Sequence, residues 1–284
     1  MNPEALIAPP GKHLSLAKLD PGERCGFASK DDALTRLQTD VAKLEKLQDV
    51  LSAQGKYAVL IVFQGMDTAG KDGAVKHVMS GVNPIGVNVY GFKAPSDEER
   101  RHDFLWRCEK VLPERGRIAI FNRSYYEDVL IVRVHPELLG SRMNEDSEQF
   151  WHRRYDAINA FERHLVSENT IVIKFFLHIS KDEQGRRLRA RINDPAKQWK
   201  CSIYDLKERA FWDKYMTAYE EAISATSTQA APWYIIPANH KYVARVAIAN
   251  AIVARLEKLD LKNPAISPAV ANELKEVGEA ALAD

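Results

Sequence analysis

Cysteine is scarce in this 284-residue sequence: Cys25, Cys108 and Cys201 are the only three. Their number is odd and their spacing fits no metal knuckle. That excludes a disulfide-stapled scaffold and leaves reduced thiols as the expectation. Long apolar runs are lacking too. None approaches the roughly 18 residues of a membrane span, and MNPEALIAPPGKH at the start has no basic stretch followed by an apolar one. No membrane partner and no secretory signal are therefore expected, and a cytoplasmic location is. Net charge is almost missing, since 40 Lys and Arg stand against 39 Asp and Glu. Any polyanion must be met by a local patch and not by the molecule as a whole. There is no internal repeat. What remains is ordinary globular composition, 45% hydrophobic and 28% charged, in a chain long enough to bury a large core.

Apolar spacing along the chain alternates between two periods. Residues 1–30, with Pro9, Pro10, Gly11, Pro21, Gly22 and Gly26, read as an irregular arm. Leu34, Leu37, Val41, Leu44, Leu47 and Leu51 then recur at three and four residues, one face of an amphipathic helix that is either core or interface. YAVLIVF (57–63) is a continuous β-branched run, as expected of a strand buried on both faces. Further strands are predicted at 87–92, 117–121, 170–177 and 233–237. Helices are predicted from Lys71 to Ser80, from a Ser96–Glu99 capping box to Val111, from Glu145 to Ser167, across Ser180–Ala225 with a break near Pro195, and from His240 to Leu259. Five strands alternating with helices imply an α/β fold with a central parallel sheet.

Between the first strand and the next helix lies Gly65-Met66-Asp67-Thr68-Ala69-Gly70-Lys71, a G-x-x-x-x-G-K phosphate-binding loop in the context it requires. Glycines let successive N–H groups turn inward, the helix adds its positive end, and Lys71 supplies a mobile charge for terminal phosphates. Gly65, Thr68, Ala69, Gly70, Lys71, Asp72 and Gly73 are the phosphate-binding candidates of this stretch. The usual Ser/Thr magnesium ligand after the lysine is Asp72. Asp72 and Asp67 are candidate metal ligands, because bare carboxylates beside phosphate call for a cation between them; Asp72 as a helix cap is the alternative.

A second signature, Asn122-Arg123-Ser124-Tyr125-Tyr126-Glu127-Asp128, follows the third strand. Asn122 stands where many phosphate-loop enzymes carry a metal-binding Asp. Arg123 would face the crevice at the carboxyl ends of the strands. Glu127 and Asp128 either hold metal-bound water and orient the acceptor, or merely enrich a helix start in acid. The stretch 181–200 is the strongest charge anomaly, with seven Lys or Arg against three Asp or Glu. On a helix Arg187 and Arg191 share a face and are candidate phosphate clamps in a closing lid; a solvated charged face is the alternative. No aromatic platform is interleaved there, which argues against nucleic acid.

Taken together, FQGMDTAGKDG, DFLWR (103–107), FNRSYYEDVLIVRVH (121–135), FFLHISKDEQ (175–184), DPAKQWK (194–200) and APWYIIPAN (231–239) resemble the family-2 polyphosphate kinases over about residues 15–260. The form with Asn122 resembles class III, which is associated with phosphorylating both nucleoside monophosphates and diphosphates. The resemblance implies a thymidylate-kinase-like P-loop fold, Mg²⁺, a helical lid, and a homo-oligomer, dimer or tetramer. It implies inorganic polyphosphate and the adenine nucleotides AMP, ADP and ATP as partners. Asp67 would bind metal, Lys71 and Arg123 would neutralise the transferred group, and Glu127 and Asp128 would support metal or acceptor. Arg133, in the same stretch, joins the phosphate-binding set with Asn122, Arg187 and Arg191. The implied organisation is an arm over 1–30, a kinase domain over 31–262 with a lid at about 181–215, and a tail over 263–284. Two departures, Gln229-Ala230 before APWY and HKYVAR (240–245), bear on local nucleotide or subunit contacts. An ATP-dependent monophosphate kinase and a non-catalytic polyphosphate- or nucleotide-binding regulator are the rivals.

Overall fold

A computed structural model describes residues 1–142, 147–200 and 202–282. The elements run α1 (Lys30–Gln54), β1 (Ala58–Gln64), α2 (Lys71–Val78), β2 (Val87–Gly91), α3 (Trp106–Glu109), β3 (Ile118–Asn122), α4 (Ile131–Val134) and α5 (Ser147–Ser167). They continue with β4 (Thr170–His178), α6 (Lys181–Ile192), α7 (Ile203–Glu208), α8 (Trp212–Thr226), β5 (Trp233–Pro237), α9 (Lys241–Glu257) and α10 (Pro268–Ala281), with short 3₁₀ turns between. The strands form one parallel sheet in the order β2-β3-β1-β4-β5. All seven residues of β1 are buried, so both faces of the sheet are covered at its centre, as its unbroken apolar run requires. Chain direction diverges at β1, since β2 and β3 lie to one side and β4 and β5 to the other. The carboxyl end of β1 is thus the switch point where α/β folds open a crevice.

The leucine face of α1 packs into the core. Leu37, Leu44 and Leu51 are buried, and the helix packs on α9. Ser29 caps its start and Gly55, at φ +60°, ends it. The N-terminal arm covers the outer edge of β5: Ile7 bridges Tyr234, and Ala8 N donates to Trp233 O at 2.8 Å. At the other end α10 leaves Leu274 and Val277 exposed.

The helix expected from Ser96 to Val111 is broken. Its capping box closes, with Ser96 N on Glu99 Oε2 at 2.7 Å and Glu99 N on Ser96 Oγ at 3.2 Å. The backbone then turns extended at His102, and Asp103 Oδ1 accepts from Leu105 N at 2.9 Å to start the short α3. Tertiary anchors outweigh propensity here. The His102 ring stacks on Trp106 at 3.8 Å, and the buried Arg107 donates to Lys93 O at 2.8 Å. Of the cysteines, Cys25 and Cys108 are free, and Cys201 lies outside the described residues, as does part of the helix start expected at Glu145.

Candidate active site

β1 delivers the chain into a loop built on left-handed backbone, with φ of +147° at Gly65, +66° at Thr68 and +110° at Gly70. A side chain at Gly65 would put its Cβ 2.9 Å from Leu177 O, so only glycine fits where the loop passes β4. Lys71 is buried, and its Nζ donates to Gly65 O at 2.6 Å and Met66 O at 3.3 Å. Burial lowers its proton affinity and the Asp67 carboxylate partly restores it. Thr68 Oγ1 is buried with no partner, an acceptor and donor left over beside the loop.

The end of β3 closes onto this loop. Asn122 Nδ2 donates to Asp72 Oδ1 at 2.6 Å, so the two positions that depart from the usual magnesium pattern are joined to each other. Arg123 adopts φ +65°, tied by its N–H to Phe63 O at 3.0 Å, and its Nη2 meets Asp67 Oδ1 at 2.7 Å. Glu127 lies behind them. Burial raises its carboxyl above the ordinary range, against the pull of Arg123 and Lys71. Tyr125 and Tyr126, between Arg123 and Glu127, are clamped from below. Both hydroxyls donate to Glu162 Oε1, at 2.9 and 2.8 Å. Glu162 Oε2 takes Lys174 Nζ at 2.6 Å, and Lys174 also reaches Tyr126 Oη and Thr226 O. Glu162 and Lys174 are both buried, so this is a closed polar network under the β3 turn.

One expected site residue is held by the protein and two point elsewhere. Arg187 borders the crevice, and all five of its N–H donors are taken by protein oxygens. Nε meets Glu183 Oε1 at 2.6 Å, Nη1 meets Thr68 O and Ala69 O at 2.9 and 2.8 Å, and Nη2 meets Ala238 O and Asn239 O at 2.5 and 3.0 Å. It buckles α6 and the β5–α9 turn to the back of the loop. Arg133 faces α8, paired with Glu221 at 2.5 Å and lying over Trp151, because α4 turns that face away from the crevice. Asp128 also turns from the loop, toward Arg154 Nη1 at 3.2 Å and Arg107 Nη2 at 4.0 Å.

The crevice is an open cavity of about 550 Å³ over the loop, lined by nine Lys and Arg and only two Asp. Asp67, Thr68, Ala69, Gly70, Lys71, Asp72, Gly73, Asn122, Arg123, Arg187 and Arg191 all border it. Arg191 stands 3.8 Å from Asp205 of α7, whose carboxyl is raised by burial and then by Asp67. Lys93, Lys197, Lys241 and Arg245 also line it. A second cavity of about 420 Å³ adjoins it through Gly91, Phe92 and Lys93 and reaches Trp106 and Arg107. Sequence reasoning passed over Lys93, Asp205, Glu162, Lys174, Lys241 and Arg245. Lys174 had a signal, a lone charge inside an apolar strand, which demands a buried acid. Lys241 and Arg245 had one too, a pair one helical turn apart just past the carboxyl end of β5.

Among the described residues no three acids or histidines converge as a ready metal cage. Asp67 and Asp72 nevertheless suit a Mg²⁺ ion held largely by phosphate oxygens, which needs only one or two carboxylates from the protein. Each is held by its neighbour through its Oδ1.

Comparison with known proteins agrees with this geometry. The sequence profile described as Polyphosphate kinase 2 matches residues 27–264. An ADP-polyphosphate phosphotransferase of Rhodopseudomonas palustris is 48% identical over 90% of both chains. An AMP/ADP-polyphosphate phosphotransferase of Meiothermus ruber is 44% identical over 94% of this chain and 96% of its own. The crystal structure of Polyphosphate Kinase 2 from Arthrobacter aurescens superposes with a TM-score of 0.90 at 44% identity, covering 98% of this chain and 97% of the other.

Proposed function

The chain belongs to the polyphosphate kinase 2 family, and from that membership we propose that it moves the terminal phosphoryl group of inorganic polyphosphate onto ADP and AMP, reversibly. The observation that carries this is the cavity over the phosphate loop, where cations outnumber acids by more than four to one in a chain of net charge +1. A single nucleotide needs no such bank of charge; a polyanion does.

The donor's last phosphoryl group sits in the curl from Gly65 to Gly70. Lys71 leaves the two loop carbonyls it holds and turns to the phosphate oxygens. Thr68 Oγ1, buried without a partner, gains one there. The acceptor enters from the side of β2 and β3, where the second cavity opens. Its phosphate oxygen is already an anionic nucleophile, so no strong general base is required. That oxygen forms the new P–O bond as the bond to the bridging oxygen of the polymer breaks, and the polymer leaves one unit shorter. Arg123 lies between the two sides and offsets charge on the group in transit, while Asp67 and the Glu162–Lys174 network fix it and its turn. Catalysis rests on alignment and charge neutralisation of a loose transition state. When Mg²⁺ is bound, by Asp67 and Asp72 together with phosphate oxygens, it supplies further neutralisation of the reacting phosphates.

Neutral Asn122 leaves less negative charge beside the acceptor phosphates than an Asp, which supports acceptance of both AMP and ADP. Homo-oligomeric assembly is part of the proposal through family resemblance, and light scattering reads it. Among the described residues no helix is long and apolar enough to cross a membrane. The direct test is luminescent detection of ATP from ADP with polyphosphate, with and without a metal chelator. ATP formed only with both polyphosphate and divalent metal supports the proposal. ADP formation from ATP and AMP that exceeds any polyphosphate-dependent rate would point to the monophosphate kinase instead.

A further inference from the structure

α6 turns one face to the back of the phosphate loop, and three consecutive loop carbonyls meet it. Gln184 Nε2 donates to Asp67 O at 3.3 Å, and Arg187, a turn later, takes Thr68 O and Ala69 O. Between the first two of these carbonyls lies Thr68, at φ +66°. Left-handed backbone is unfavourable for a β-branched residue and persists only where its surroundings over-determine it. The two contacts that flank Thr68 supply that constraint. Every peptide here is trans, so a carbonyl turned to α6 sends the N–H of the same peptide the other way. The peptide that Gln184 holds carries the Thr68 N–H, which has no protein acceptor among the described residues. The Thr68 hydroxyl is buried without a partner as well.

Gln184 is itself fixed in one orientation. It is buried, and its Oε1 accepts from Arg209 Nη1 at 2.8 Å. A flipped amide would set donor against donor at Arg209 and oxygen against oxygen at Asp67. Arg209 follows the end of α7 and also donates from Nη1 to Lys181 O at 2.6 Å. Gly185 leaves it room, since a Cβ there would lie 3.1 Å from Arg209 Nη2. Glycine inside a helix is unfavourable, and this close approach accounts for it. The preceding residue, Glu208, is pinned by Tyr215 Oη at 2.6 Å and by His135 Nε2 at 2.9 Å, so the corner that carries Arg209 is fixed too.

We propose that Gln184 and Arg209 are positioning residues for phosphoryl transfer. Arg209 locks the Gln184 amide, and the amide turns the Asp67–Thr68 peptide so that its N–H faces the donor's phosphate oxygens. This rests on the reading of the loop as the phosphate site given above, but not on which molecule donates. It ties the end of α7 to the backbone of the loop through one buried amide.

The first test is amide NMR on isotope-labelled protein. The Thr68 signal is expected to shift when tripolyphosphate or ATP is added to the wild type. In Gln184→Met and in Arg209→Met that shift should shrink by at least half. The Gly70 signal, whose peptide Arg187 holds, should keep its shift, which a general loss of structure would not allow. The second test is ATP formation from ADP and polyphosphate. Gln184→Met should lower kcat by about 10-fold and Arg209→Met by about fivefold, with the ADP KM little changed. The double variant should lose about as much as Gln184→Met alone, because both residues act on one peptide. Arg209→Lys, still able to donate to Gln184 Oε1, should keep most of the turnover. A Thr68 shift that is unchanged in both variants, or kcat losses that multiply, overturns the proposal. If the wild type uses no polyphosphate, that reading falls, and the Thr68 shift with ATP still decides this one. No Thr68 shift in the wild type with either anion overturns it. Should Gln184→Met fail to fold, Arg209→Met carries the same NMR readout.

Discussion

Arg187→Met separates two roles for one arginine. A phosphate clamp works only when ligand is present, so its loss should raise the polyphosphate KM and leave the free protein as stable as before. The structure gives the guanidinium a different task. It satisfies four main-chain carbonyls, from Thr68, Ala69, Ala238 and Asn239, and half of the Glu183 carboxylate. Met preserves most of the stem but none of the donors, leaving buried carbonyls unpaired. Removing one member of a buried ion pair costs about 3–5 kcal/mol. In a chain of this size that corresponds to roughly 5–8 °C in Tm. Thermal unfolding of the ligand-free protein measures it. Turnover should also fall, because the loop at Thr68 and Ala69 loses its backing, and saturating polyphosphate should not restore it. An unchanged Tm combined with a higher KM would refute the buckle and restore the clamp.

Lys71→Ala should lose at least about 10²-fold in kcat, some 3 kcal/mol of transition-state stabilisation, with the fold intact; near-normal turnover would remove Lys71 from the chemistry. Glu127→Gln should be inactive or nearly so, yet more stable than the wild type at neutral pH. The folded chain binds the Glu127 proton more tightly than the unfolded chain does, so this group's contribution to stability falls as pH rises from the ordinary carboxylate range through its raised value. Melting curves below and above that window should converge at the acid end and diverge at the neutral end, and parallel curves would contradict the assignment. Lys174→Met alone strands a buried carboxylate and should cost about 3–5 kcal/mol, whereas Lys174→Met/Glu162→Gln should recover much of the stability. If the double variant also recovers turnover, the network does not position the turn that carries Arg123.

Most of the sheet was legible because its strands are unbroken apolar runs bounded by loops. The strand at Trp233–Pro237 was found at its observed bounds, and the others to within a residue. The phosphate loop and the β3 turn were legible because their chemistry lies in consecutive residues. Where each arginine points was not. Arg187 and Arg191 share a helical face, but Arg187 meets carbonyls from two distant segments while Arg191 meets Asp205. Only the tertiary fold decides that. The break at His102 is similar: a sound capping box was overruled by a ring stack and a buried arginine that no local pattern reveals. Arg133 sits in the most recognisable stretch of the chain and still faces α8, because a short helix after the turn rotates it away.

The central claim is that one crevice passes phosphoryl groups from polyphosphate to acceptors of two lengths. A phosphorus NMR time course of the purified chain with polyphosphate, AMP and Mg²⁺, and with no added ATP, tests it most directly. The account predicts that ADP accumulates first and ATP follows, and that a chelator stops both. Conversion of added ADP with AMP left untouched would contradict the two-acceptor claim, and no phosphoryl transfer from polyphosphate to either nucleotide would contradict the account as a whole.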